Sequence, residues 1–212
     1  MVEQERHDER ILAVMGEGVV TTEPNVAQVV LGVVTEDENL SVAQRQNADF
    51  INQVIQALMN EGIPREEIQT VDYSIQPLYD YVEGVQQFRG YQVSHMLSVT
   101  IDEIGSVGQV IDSAVEAGAN RVIDIQFSVS HPEVFYQLAL TRALEDAVGK
   151  AETLAEAMNT DLDLVPVKVV ELSSDSPITY QTFALAESGG GTPIEPGQMD
   201  IKARIEAKFH YM

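Results

Sequence analysis

Thr192-Pro193-Ile194-Glu195-Pro196-Gly197, then Met199-Asp200-Ile201-Lys202-Ala203-Arg204-Ile205-Glu206-Ala207-Lys208-Phe209-His210-Tyr211, is the stretch that decides the fold. From Ile201 onward every second residue is apolar, and Lys202, Arg204, Glu206, Lys208 and His210 fill the positions between. A period of two reads as a strand with one buried face. Upstream, Ser130 with Glu133, and Pro132 in the first turn, open a long Ala-rich helix. Leu140, Leu144, Ala147, Ala151, Leu154 and Met158 recur along it at spacings of four and three, a coiled-coil-like seam. A long helix followed by amphipathic strands predicts an α+β protein. Val165, Val167 and Val169 begin a strand between them. Residues 173–197 form a long loop with little periodicity, a Gly189-Gly190-Gly191 run and no Lys or Arg. Connections of that length are functional, partner-bound or mobile.

Toward the N-terminus, residues 1–10 read as a flexible arm. Ile11–Thr22 is a strand containing Gly16-Glu17-Gly18, and Val26–Thr35 a nearly continuous apolar strand suited to a place covered on both faces. Ser41 with Gln44 suggests a capping box for a helix carrying Ala43, Phe50, Ile51, Val54 and Leu58, which Gly62 and Pro64 end. Val71, Tyr73, Ile75, Pro77, Tyr79 and Tyr81 share one strand face. After Glu83-Gly84, so do Tyr91, Val93, His95, Leu97, Val99 and Ile101; the two runs predict an antiparallel hairpin with one packed side. A short helix capped by Ser106 with Gln109 and a strand through Ile123, Ile125, Phe127 and Val129 follow. The order is β-β-α-β-β-α-β-α-β-β in a mixed or antiparallel sheet, with a ferredoxin-like β-α-β-β-α-β portion. Residues 11–211 are expected to form one domain, either single or built from two intertwined α+β subdomains.

The chain of 212 residues is 44% hydrophobic, which places it among globular proteins. Four lysines and eight arginines face 34 acidic residues, for a net charge of −22. Such a chain repels nucleic acid and anionic membranes, so no nucleic-acid partner is expected. The acidity reads as a solvated surface, as adaptation to high salt, or, least, as cation binding. There is no cysteine, which excludes disulfides and thiolate chemistry. No apolar run is long enough for a transmembrane segment. Met1–Arg10 is polar and charged and does not read as a signal peptide. The protein is expected to be periplasmic or extracellular if an export signal has been removed, and cytoplasmic otherwise.

No grouping of residues spells out a reaction. Gly16-Glu17-Gly18 lacks the following Lys of a phosphate loop and reads as a bulge or a close backbone approach. His7, His95, His131 and His210 have no neighbours at metal spacing; His95 reads as a hydrogen-bonded core residue. Asn47 falls on the apolar stripe of its helix, where a buried amide must pin a backbone segment. Tyr73, Tyr79, Tyr81, Phe88 and Tyr91 cluster on the hairpin as core packing or as an interface, since tyrosine is favoured there. No catalytic residue, cofactor or metal is expected.

Several elements resemble the SIMPL-domain family, whose bacterial members include YggE-like periplasmic proteins and a periplasmic immunogen. The carriers are Gly16 and Gly18; Pro24-Asn25-Val26-Ala27; Asn47; Gly62-Ile63 with Ile68-Gln69-Thr70; Pro77-Leu78-Tyr79; Gly90-Tyr91; Gly118-Ala119-Asn120; Ala143, Ala147, Lys150, Ala151 and Ala155; and Pro193-Ile194 with Pro196-Gly197. The resemblance implies an exported α+β protein that forms a homo-oligomer, with a link to stress tolerance and without agreed catalytic residues. Two readings follow: a non-enzymatic protein acting through assembly or partner binding, or a binding module with an acidic pocket for a small or cationic ligand.

Overall fold

The computed structural model describes residues 10–172, 179–181 and 192–212. Its elements are β1 (Ile11–Thr22), β2 (Val26–Asp37), α1 (Leu40–Asn60), β3 (Ile68–Val82), β4 (Val85–Ile101), α2 (Val107–Glu116), β5 (Arg121–Ser128), α3 (Pro132–Met158), β6 (Lys168–Leu172), β7 (Thr179–Gln181) and β8 (Gln198–His210). The α+β class and the element order stand as expected, with β7 as an addition inside the 173–197 loop. Every described strand pairing is antiparallel, so neither sheet is mixed. The Gly189-Gly190-Gly191 run and residues 1–9 of the expected arm lie outside the described residues.

The chain divides into two compact units. One comprises Pro24–Ser130 with Ala184–Pro196; the other gathers Met1–Glu23, His131–Phe183 and Gly197–Met212. In the first, the sheet order is β3-β4-β2-β5. With the β-α-β-β-α-β chain order, this is the split βαβ arrangement. Ala27, Val29, Leu31 and Val33 of β2 and Leu97, Val99 and Ile101 of β4 pack under Ile51, Val54 and Leu58 of α1 and Val107, Val110 and Ile111 of α2. Three asparagine amides complete backbone pairing here. Asn120 Nδ2 donates to Val34 O and its Oδ1 accepts from Val34 N, both at 2.8 Å, beyond the point where β5 stops pairing with β2. Asn25 Oδ1 accepts from Ser130 N at 2.8 Å. Asn47, 1% exposed, donates to Val33 O at 2.9 Å and Val93 O at 3.1 Å, tying α1 to both central strands.

Asp112 of α2 accepts both the Thr192 amide, at 2.9 Å, and its hydroxyl, at 2.5 Å. These bonds hold the Asp112 carboxyl below its usual pKa of 3.8. A lowered folded-state pKa stabilises the fold above the unfolded-state value and ceases to do so as pH falls through the folded one. Asp112→Ala is therefore expected to lower the thermal midpoint at neutral pH. The gap to the native protein should close as pH drops below about 4 in midpoint-against-pH curves; a constant gap would contradict the anchor.

In the second unit β8 lies between β1 and β6, with β7 also paired to β8. Val14, Val20, Ala203, Ile205, Ala207 and Phe209 meet Ala139, Ala143, Ala147 and Ala151 of α3. The buried face of α3 is this alanine row at every fourth position, continued to Ala155, and not the expected heptad seam. Leu144, Leu154 and Met158 are exposed. The reason is the strand beneath. A Cβ on Gly16 or Gly18 would run into the carbonyl oxygens of Ala143 and Ala139, and one on Gly16 would lie 2.9 Å from Ala147 Cβ. A helix backbone that near leaves room for methyl groups and none for leucine. The β1–β8 register is continuous, so the two glycines mark a close approach and not a bulge.

Smaller departures have local causes. Asn39, not Ser41, caps α1, its side chain accepting from Ser41 N at 3.0 Å. Ser106 precedes α2 without a side-chain cap bond, and Ser130 is taken by Asn25, leaving His131 at the start of α3. A register shift between Thr70 and Asp72 passes over Val71 and brings Thr70 onto the Tyr73 face. Strand β6 begins at Lys168, past Val165.

Candidate functional site

Strands β3 and β4 form a long hairpin closed by Glu83 and Gly84, whose φ of 50° and 80° make the two-residue turn that suits strand twist. Its register places Tyr73 opposite His95, Ile75 opposite Val93, Pro77 opposite Tyr91 and Tyr79 opposite Phe88. At the base α1 covers this face and Val93 is fully buried. Toward the tip nothing described covers it. Tyr73, Ile75, Tyr79, Tyr81 and Phe88 are exposed, Tyr81 by 74%. The expected packing of the β3 face is thus not realised, whereas Leu97, Val99 and Ile101 of β4 are buried as expected. Three edge-on ring contacts order the surface: Tyr73–His95 at 5.3 Å, Tyr79–Phe88 at 5.9 Å and Phe88–Tyr91 at 5.1 Å. Such pairs hold rings rigid, and a rigid ring loses little entropy when covered. Glu36 fastens the hairpin to β2 by accepting from Arg89 and, at 2.9 Å, from Gln92.

His95 Nε2 lies 3.0 Å from Thr70 Oγ1. Burial lowers the His95 pKa and nearby Asp72 opposes that shift, so the site favours the neutral ring. The pair sits beside Tyr73, with Thr70 exposed and His95 half-buried. Among the described residues no three His, Asp or Glu side chains converge as metal ligands.

A cleft of about 500 Å³ lies between β1 and α3, lined by Val14, Met15, Asp146, Gly149, Lys150, Thr153 and Leu154. Its carboxylate is already engaged: Asp146 Oδ2 accepts from Lys150 Nζ at 2.6 Å and from Glu17 N at 2.8 Å. Those two donors hold the Asp146 pKa below the ordinary carboxylate value. The cleft offers a cation no free acidic pocket.

The structure therefore brings Tyr73, Tyr79, Tyr81, Phe88 and Tyr91 together on one hairpin. It assigns Gly16 and Gly18 to helix packing and Asn47 to backbone bridging. Pro196 is half-buried and Gly197 takes a positive φ of 65° where the chain enters β8. The polar row of Arg142, Asp146 and Lys150 on α3 escaped sequence reading, although its four-residue spacing and the Asp146–Lys150 pair were visible signals. Asn25 and Asn120 were visible as carriers of the resemblance, without their pairing role.

A family model described as SIMPL, a protein of unknown function (DUF541), matches residues 12–209. The 26 kDa periplasmic immunogenic protein of Brucella melitensis is 30% identical over 209 residues, covering 93% of this chain and 83% of that protein. Its counterpart in Brucella abortus matches to the same extent. The uncharacterized protein YggE of Escherichia coli K12 is 24% identical over 147 residues, 69% of this chain and 60% of its own length. Among the described residues no helix is long and apolar enough to cross a membrane. The glycines that admit α3, the asparagines that complete strand pairing and Ala143, Ala147, Ala151 and Ala155 are among the residues that carried the resemblance, and the match over nearly the whole chain makes this protein a member of the SIMPL family.

Proposed function

We propose that this protein works in the periplasm by association, with a second copy of itself as the partner, through the aromatic face of the β3–β4 hairpin, and that it is not an enzyme. The observation that carries this reading is the uncovered, ring-ordered apolar face running from Tyr73 to Phe88. Charge supports a self-partner there. Between residues 71 and 95 the only charged side chains other than histidine are Asp72, Asp80, Glu83 and Arg89. Two copies carrying −22 each repel over most of their surface, so contact is least opposed where charge is sparse. The periplasmic setting is supported by the relatives named periplasmic. The ligand-binding alternative has less support, because Asp146 of the cleft is neutralised by Lys150.

Light scattering after size-exclusion chromatography, at low and high salt, tests the reading. The native protein is expected to elute as a discrete multimer, favoured by salt that screens the repulsion. Y79S/F88S is expected to shift it to monomer with an unchanged circular dichroism spectrum. A native monomer at both salts would refute assembly through this face.

A further inference from the structure

Among the described strands β1 is an edge of its sheet, with β8 alone beside it. An unpaired edge is a template for another strand, and proteins that stay soluble manage it. Tyr211 N donates to Arg10 O, so the even-numbered residues of β1 turn their backbone groups toward β8 and the odd-numbered ones toward the open edge. On that edge α3 supplies what a neighbouring strand would. Arg142 donates to Val19 O at 2.5 Å, Asp146 accepts from Glu17 N at 2.8 Å, and Lys150 donates to Met15 O at 3.0 Å. Donor, acceptor and donor stand one helical turn apart and meet acceptor, donor and acceptor two residues apart. The Asp146–Lys150 bond locks the last two rungs together. Strand β3, the edge whose face is left uncovered above, carries Pro77 and, among the described residues, no comparable row.

We propose that Arg142, Asp146 and Lys150 form an edge guard: they occupy the backbone groups an incoming strand needs and close β1 to strand addition by a second chain. The guard is independent of the hairpin association. It holds whether the native protein is monomeric or not, because its test reads a change from the native mass.

The test is the full chain carrying R142A/D146A/K150A, compared with native protein by light scattering and by amide hydrogen exchange. Alanine preserves helix propensity at all three positions. The Glu17 amide is expected to exchange about tenfold faster or more once its acceptor is gone. The mass is expected to rise with concentration above the native value. Adding Glu17→Pro removes the outward donor and is tolerated on an edge strand, so it should return the mass to native. A mass that stays native despite fast Glu17 exchange overturns the proposal. So does a raised mass that Glu17→Pro leaves raised, since association would then lie elsewhere. Protection of the Ile205 and Ala207 amides reports that the sheet is intact. If the triple variant loses it, D146A/K150A, which frees Glu17 N and Met15 O and keeps Arg142 on Val19 O, is read by the same criteria.

Discussion

Gly18→Val is expected to lower stability by about 3 kcal/mol or more, the upper end of what overpacking costs. Most large side chains forced into a core find relief by shifting neighbours. Here the added carbon meets helix backbone: the Ala139 carbonyl first, then the Ala143 amide nitrogen at 2.6 Å. Relief would require α3 to lift from β1 along its whole alanine row, separating Ala139, Ala143, Ala147 and Ala151 from the strands. The loss should appear in urea denaturation and in faster exchange of β1 and β8 amides, with amides of α1 and β4 protected as before. A native midpoint for Gly18→Val would show that the helix does not sit that near.

The second large effect belongs to Asn47. Asn47→Leu removes two donors from the Val33 and Val93 carbonyls, each bond contributing about 1 kcal/mol. Part of the loss is offset, because Asn47 Oδ1 is buried with no partner among the described residues. A net cost of about 2 kcal/mol is expected. Asn47→Asp should cost more at neutral pH, since an ionised carboxylate faces two carbonyl oxygens and can donate to neither. Burial raises the pKa of such a group, so the folded state binds the proton more tightly and stability recovers as pH falls. Denaturation midpoints of the three proteins at pH 5 and pH 8 separate these terms. Equal or greater stability of Asn47→Leu would show that the amide does not bridge the strands.

What the sequence revealed followed the range of each signal. The alternation in β8 and the Leu97–Ile101 run of β4 are period-two patterns within one element, and both faces were legible. So was the hairpin that gathers the five aromatic residues. The α3 face was misread because leucine at heptad spacing looks like a seam. Only Gly16 and Gly18, far away in sequence, turn the alanines inward. The edge guard was hidden for the same reason: Arg142, Asp146 and Lys150 gain meaning from backbone groups of a strand that no local periodicity connects to them. The bulge at Thr70–Asp72 leaves no compositional mark, and it brings Thr70 rather than Val71 into register on the Tyr73 face.

The second unit is assembled from three pieces of chain, while Pro24–Ser130 is continuous within the first. Among the described strands β1 is the earliest in sequence yet pairs with β8, the latest, as Val14 opposite Ala207 illustrates. Closing so long a loop is slow, because chain entropy is lost before any pairing compensates it. On folding, therefore, the Pro24–Ser130 segment can complete its α1- and α2-covered sheet while β1 waits, and the other half closes only when β1 meets β8. Between those events the β1 edge has neither its strand partner nor the α3 side chains beside it, so the chain is most open to mispairing before α3 and β8 dock on β1.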